Sequence, residues 1–375
     1  MSEKDSDPEI TPEVWDHGGP APGEEALCRL DASTTVNPFP SGELLARLAQ
    51  ALSGATRYPD PFAEEGLAAA RRRYGLPPGR IAAAGGATLL LYALIGAGGF
   101  SRIVLPSPVF SEYRRAASIA GSPVLSLPPA RILPWSGRIS PFLRDFFSGE
   151  GLPWGIEIGE IAGLRAGDLV VLVNPVNPTG QEFSREEVLD LFRRAQEAGA
   201  SLLVDESFQD FLGDRTSVID RAGEGALFVL RSLTKITGLP GIRVGLLAGP
   251  REPVGKVRER IGPWALGTLE QSLLLWTMEA KKEGFGYRPE AKERLVSLLL
   301  SGGWTVCPGE GPFVLASPGR RPEECQALKE RLWRQGVRLR LATGFGVEGG
   351  EMLFRLGFGA FLSPEVLGEA LDSPG

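Results

Sequence analysis

The sequence predicts an α/β protein, with a mostly parallel central sheet, helices on both faces and a smaller α+β domain at the C-terminal end. Three observations predict it. Short apolar runs without in/out alternation recur at residues 103–105, 169–173, 202–204, 227–230 and 244–248, as strands buried on both faces do. Helical stretches such as 184–198 separate several of these runs, the alternation that crossover connections produce. After residue 255 the pattern changes, and helical segments at 269–282, 288–300 and 322–335 surround short strand candidates at 304–306, 312–316 and 353–356.

Taken in order, residues 1–40 read as an irregular arm. Residues 42–53 are a short helix candidate with Leu44, Leu45, Leu48 and Leu52 on one face. Arg57-Tyr58-Pro59-Asp60-Pro61 makes a rigid turn before a second helix over 63–74. Residues 81–101 carry no charge, and on length alone they could span a bilayer. Gly85, Gly86, Gly96, Gly98 and Gly99 interrupt them, and only 88–95 is solidly helical. The reading is a buried helix opened by a glycine turn. Residues 128–167 are rich in Pro and Gly, carry Trp135 and Trp154, and match no regular element. A stretch of that length is expected to be a functional loop or a lid. The expected domains are an arm over 1–40 that joins the small domain and covers the site, a large domain over 41–255 and a small domain over 256–375.

With 375 residues, 43% hydrophobic and 23% charged, the chain has the length of two domains and an ordinary globular composition. Disorder, collagen and coiled coil are excluded as whole-chain descriptions. A net charge of −6 offers no electrostatic footprint for nucleic acid. The acidic, polar N-terminus is the opposite of a signal peptide. Neither a nucleic-acid nor a membrane partner is expected, and the expected location is cytoplasmic. Cys28, Cys307 and Cys325 are far apart and lack metal-ligand spacing. The single histidine, His17, cannot supply a histidine metal site or complete a Ser-His-Asp triad in the usual way. No metal is expected; the chemistry is expected to come from a cofactor.

Ligands of an open parallel sheet bind outside the carboxyl ends of its strands, and unusual polar residues cluster there. The 169–173 run leads into Asn174-Pro175-Val176-Asn177-Pro178-Thr179-Gly180. The 201–204 run leads into Asp205-Glu206, and the 227–231 run into Ser232-Leu233-Thr234-Lys235, with Arg243 following. Gly85-Gly86-Ala87-Thr88 opens a helix whose first N–H groups and dipole suit a phosphate. A parallel sheet would bring these four groups to one crevice. Pyridoxal phosphate needs that set: a lysine for covalent attachment, an acid beside the pyridinium nitrogen and a phosphate site. A buried carboxylate holds the proton on that nitrogen by charge pairing.

The ordered set of Asn-Pro-x-Asn-Pro-Thr-Gly, Asp-Glu, and Ser-x-x-Lys with an arginine eight residues on resembles fold-type-I pyridoxal-phosphate enzymes of the class I/II aminotransferase superfamily. The resemblance covers residues 30–362. It is strongest to the threonine-phosphate decarboxylases of cobalamin synthesis, then to the histidinol-phosphate aminotransferases.

The resemblance implies a role for each position. Lys235 is the Schiff-base lysine and proton shuttle, and Asp205 the partner of the pyridine nitrogen. Asn177 resembles the asparagine that hydrogen-bonds the cofactor's 3-oxygen, while Asn174 could simply shape the turn. Ser232 and Arg243 resemble phosphate ligands, arginine through its forked donors. Ala87 and Thr88 supply backbone N–H groups to the same phosphate, although the family's asparagine near Gly85 and acidic residue near Leu89 are missing. Phe110, in Pro108-Val109-Phe110-Ser111-Glu112-Tyr113, matches the aromatic that stacks on the ring. Tyr58 resembles a tyrosine that reaches the phosphate of the neighbouring subunit, which implies a homodimer. Phe208 stands where many aminotransferases carry a tyrosine that donates to the 3-oxygen. Without that donor the lysine–cofactor imine is expected to keep its proton to higher pH.

The same resemblance assigns substrate contacts. Arg355, in Phe354-Arg355-Leu356-Gly357, resembles the arginine that grips the α-carboxylate. Arg340 falls where the decarboxylases also have an arginine, for a substrate phosphate or carboxylate, with a solvated charge as the alternative. Asn37 matches an N-terminal segment that folds over the site, and His17-Gly18-Gly19 resembles the decarboxylases' His-Gly-Gly. Three readings follow. The chain decarboxylates threonine O-phosphate to aminopropanol phosphate, or is a histidinol-phosphate-type aminotransferase, or binds the cofactor as a scaffold without turnover. The expected substrate is a small amino acid, with or without a phosphate.

Overall fold

The structure, a computed structural model, describes residues 18–21, 23–130, 154–280 and 289–373. His17, and residues 131–153 of the unassigned 128–167 stretch, lie outside the described residues. The strands of the large domain are β2 (Ile81–Ala84), β3 (Arg102–Pro106), β4 (Val124–Leu127), β5 (Asp168–Val173), β6 (Ser201–Asp205), β7 (Leu227–Ser232) and β8 (Gly245–Ala248), preceded by β1 (Leu30–Asp31) in the arm. They form a sheet in the order β2-β8-β7-β6-β5-β3-β4. The pairs from β7 to β4 are parallel, and β8 runs antiparallel to both its neighbours.

The lack of alternation in the apolar runs has a direct cause. All six residues of β5 are buried. Val170 and Leu172 enter one core, and Leu169, Val171 and Val173 enter the other. Successive side chains of a strand point to opposite faces, so a sheet covered by helices on each side needs apolar residues at every position. β6 divides in the same way, with Leu202 and Val204 on one face and Leu203 on the other.

The helix opens after the glycine pair as expected, as Ala87–Gly98, and residues 81–84 ahead of it form the strand β2, which the sequence reading left unassigned. One local expectation is corrected. The first helix ends at Ala51 and passes into the 3-10 turn Leu52–Thr56. Leu44 and Leu48 are buried, whereas Leu45 is 45% and Leu52 56% exposed. Leu45 lies about 100° round the helix from Leu44, and Leu52 has left α-helical geometry, so neither shares the inner stripe.

The small domain is built on β9 (Thr305–Cys307), β10 (Phe313–Ser317), β11 (Val337–Arg338), β12 (Arg340–Leu341) and β13 (Phe354–Gly357). Four of these form an antiparallel sheet in the order β12-β13-β10-β9. β1 pairs with β11, Leu30 facing Val337, which ties the arm to this part of the chain. Helix Arg251–Ile261 packs on Ala87–Gly98 and β2, and helix Thr268–Glu279 packs on Gly42–Ala51 and Glu64–Tyr74. Both therefore pack within the large domain, and we propose that this domain runs to Glu279 and not to residue 255. Among the described residues no helix is long and apolar enough to cross a membrane.

Candidate active site

The carboxyl ends of β5, β6 and β7 and the start of helix Ala87–Gly98 meet at one cavity of about 460 Å³, within the roughly 300–1,000 Å³ usual for small-molecule sites. Asn177 enters it after β5, Asp205 from the end of β6, and Ser232 and Lys235 from the end of β7. Ala87 and Thr88, Phe110, Arg243 and, from the small domain, Arg340 and Arg355 complete the wall. The cations Lys235, Arg243, Arg340 and Arg355 face the carboxylates of Asp205 and Glu112.

Lys235 follows β7 directly, in the one-turn helix Leu233–Thr237. Its Nζ lies 4.8 Å from the centre of the Phe208 ring. Burial lowers its pKa from 10.5 to about 8; Asp205 opposes the shift, and Arg355, Arg243 and Arg340 add to it. The neutral amine, the form able to attack a carbonyl, is therefore populated near physiological pH. The rate at which the apoprotein takes up pyridoxal phosphate covalently is expected to rise through about pH 8, not 10.5. Stopped-flow absorbance against pH measures it. The linkage sign agrees: between these two values the unfolded chain holds the extra proton, so the apoprotein gains stability as pH rises across that window. Lys235→Met removes this part of the dependence.

Asp205 is held at both carboxylate oxygens. The Tyr113 hydroxyl donates to Oδ2 at 2.5 Å and the backbone N–H of Ser207 to Oδ1 at 2.8 Å. Burial, reinforced by the Asp205 charge, pushes the Tyr113 hydroxyl well above its usual range, so it remains a donor. Asn174, as the sequence suggested, shapes the turn. Its side chain accepts from the N–H of Phe183 and donates to the carbonyl of the same residue, both at 3.0 Å.

At the phosphate end, Gly86 has φ +102°. A Cβ there would stand 2.7 Å from Nη2 of Arg243, and one at Gly245 would stand 2.3 Å from the Ala87 nitrogen. Only glycine lets the arginine and β8 approach the helix start so closely. At the other end, the antiparallel register of β12 and β13 sets Arg340 directly opposite Arg355. Both are buried. Arg340 lies 5.9 Å from the Phe110 ring and 5.4 Å from the Phe345 ring. Arg355 donates to Asn177 Oδ1 at 3.3 Å and to the Ser33 carbonyl.

Residues 150–373 match the family model for aminotransferase class I and II. The chain belongs to this family. Its members are pyridoxal-phosphate-dependent enzymes. The chain is 31% identical over 247 residues to a histidinol-phosphate aminotransferase of Desulfitobacterium hafniense, a match covering 65% of this chain and 63% of that protein, under two thirds of its length. It is 30% identical to a threonine-phosphate decarboxylase of Pseudomonas aeruginosa, over 82% of each chain. The structure of histidinol-phosphate aminotransferase from Sinorhizobium meliloti in complex with pyridoxal-5'-phosphate superposes with a TM-score of 0.73 at 19% identity, over 98% of this chain and 99% of that one. It shares the fold.

The donor set of this aminotransferase-family cavity fits the cofactor. A lysine with a depressed pKa, a doubly held carboxylate, and a cradle of backbone N–H groups and arginine that a Cβ would obstruct lie round one cavity. Two sequence-derived site residues fall elsewhere, and a third is not described. Tyr58 is 87% exposed and pairs with Trp264 at 5.3 Å, away from this chain's own cavity. Asn37 is absent from the cavity wall, because its side-chain amide is engaged by the backbone of Ile236 and Phe39. His17 is outside the described residues, next to Gly18, which lines the cavity. Arg338, next to Leu339 and Arg340 in sequence, donates to Glu24 at 3.1 Å and stacks 5.1 Å from Trp333.

Sequence reasoning missed two supports. Tyr113 lies one helical turn beyond Phe110, a spacing that puts both on one side of helix Ser111–Ile119 and its cap. Arg231, fully buried, bridges Glu206 at 2.7 Å, Asp214 at 2.7 Å and Asp210 at 3.3 Å. It joins the residue after Asp205 to the residue before Ser232. Breaking such a buried pair costs about 3–5 kcal/mol.

Proposed function

We propose that the chain is a pyridoxal-phosphate-dependent enzyme for a small amino acid with a second anionic group, and that it decarboxylates L-threonine O-3-phosphate to aminopropanol phosphate and CO2. The facing pair of Arg340 and Arg355 carries this reading. Like charges directly opposite on a ladder are destabilising. A substrate with one carboxylate and one phosphate would give each arginine an anion to meet through charge-assisted hydrogen bonds. The Pseudomonas relative, named a threonine-phosphate decarboxylase and matched over 82% of its length, supports it. A histidinol-phosphate-type aminotransferase is the second reading, favoured by the Desulfitobacterium relative.

In this reading the cofactor, when bound, supplies an electron sink for the bond broken at the substrate's α-carbon. Lys235 would attach it and carry protons to and from the α-carbon. Asp205, oriented by Tyr113 and Ser207, would hold the proton of the ring nitrogen. Asn177 would face the 3-oxygen and Phe110 the ring. Ala87, Thr88, Ser232 and Arg243 would hold the phosphate. Tyr58, exposed on a ring pair with Trp264, suits a role across a homodimer, at the second subunit's phosphate.

The test is CO2 release from threonine O-phosphate by the cofactor-loaded protein. Conversion to the pyridoxamine form without CO2 would select the aminotransferase; neither would reject both. Truncating one partner of a buried charge pair costs about 2–5 kcal/mol, roughly 30-fold to 1,000-fold or more. Arg355→Met is expected to lower kcat/KM to that extent for any amino acid. Arg340→Met is expected to do so for the phosphorylated substrate while sparing an unphosphorylated one.

A further inference from the structure

The helix that presents Lys235 is a single turn, Leu233–Thr237, closed by Gly238 at φ +75°. The last four carbonyls of any helix lack intrahelical donors; here they include the carbonyl of Lys235 itself. Thr237 Oγ1 donates to the carbonyls of Leu233 at 2.9 Å and Thr234 at 3.4 Å. The carbonyls of Lys235 and Ile236 are served by the N-terminal arm, through one residue. The backbone N–H of Asn37 donates to Lys235 at 2.8 Å, and its side-chain Nδ2 donates to Ile236 at 2.9 Å.

Asn37 is 1% exposed. Its Oδ1 accepts from the N–H of Phe39 at 3.1 Å, and Nδ2 also reaches the Phe39 carbonyl at 3.3 Å, so the same amide shapes its own loop. Gly238 seats that loop: a Cβ there would stand 2.5 Å from the Asn37 carbonyl oxygen and 3.1 Å from the Pro40 nitrogen. The arm and the lysine turn are thus interlocked 199 residues apart in sequence.

We propose that Asn37 is a positioning residue, capping the carbonyl end of the Lys235 helix and thereby setting where the Lys235 amine points in the cavity. The inference rests on the reading of Lys235 as the cofactor's lysine, and it gives the arm a task at the lysine's backbone instead of at the substrate. A one-turn helix cannot hold itself. A slip by one residue would turn the lysine through about 100°, off the cavity. The cap acts where Lys235 is anchored, so its loss is felt at the amine before it is felt at the substrate.

Asn37→Asp is isosteric; it keeps the acceptor for Phe39 and removes the donor to Ile236. Asn37→Ala removes both. The apoprotein of each is mixed with pyridoxal phosphate, visible absorbance is followed against pH, and the product is fixed with borohydride. Both variants are expected to slow covalent uptake by about tenfold or more, as loss of a buried hydrogen bond would. The pH midpoint of uptake should move, and kcat should fall with KM nearly unchanged. Leu367→Ala, a fully buried change in helix Pro364–Asp372, controls for lost stability and should keep the wild-type uptake rate and midpoint. Asn37 variants that lose Tm yet take up the cofactor at the wild-type rate and midpoint would overturn the proposal; if alanine fails to fold, aspartate decides. Lys235→Ala is run beside them. Borohydride-fixed uptake in that variant would instead overturn the reading of Lys235.

Discussion

Replacing Lys235 with alanine is expected to lower turnover by about ten-thousandfold or more, because attachment and proton transfer fail together. The residue stands at the join of β7 and a one-turn helix, and its desolvated amine is poised near neutrality. Among the described residues the other cations in the cavity wall are Arg243, Arg340 and Arg355, which stay protonated and cannot attack a carbonyl in its place. The fold should survive, since the side chain projects into a cavity and supports no strand. Steady-state kinetics on threonine O-phosphate, with Tm as the control, checks both parts. Retained turnover at even a hundredth of wild type would point to another base.

Asp205→Asn is the second large effect, with kcat expected to fall by about a hundredfold to a thousandfold, the range seen when a fixed electrostatic partner is removed from a dry site. The amide can still accept from the Ser207 N–H, and the Tyr113 hydroxyl can accept from the new NH2 group, so both supports are kept. What is lost is charge. The expected signature is a low kcat with a near-native Tm and covalent uptake at Lys235 retained, its pH midpoint moved lower because the Asp205 charge no longer opposes the depressed amine. A large loss of Tm would show that Asp205 serves the fold more than the chemistry.

The strand ends could be read from the sequence because burial on both faces leaves a continuous apolar run, and polar residues at or just beyond the end of each run are brought to the cavity. Lys235, Asp205, Asn177, Ser232 and Arg243 were found in this way. Strand direction leaves no local mark, so the reversal of β8 was invisible. The opposition of Arg340 and Arg355 depends on the register between β12 and β13, which short strands of two and four residues do not encode by pattern. Tyr113 needed a helix start at Ser111 to be placed beside Asp205. The Asn37 amide turns to the Lys235 helix and not into the cavity, a choice made by backbone carbonyls that no side-chain pattern reveals.

The most direct measurement is peptide mapping after the protein is mixed with pyridoxal phosphate and reduced with borohydride. The predicted result is a single pyridoxyl group on Lys235. A stable adduct on Lys292, which among the described residues is the other buried lysine with a pKa near 8, or no adduct at all, would contradict the placement of the site.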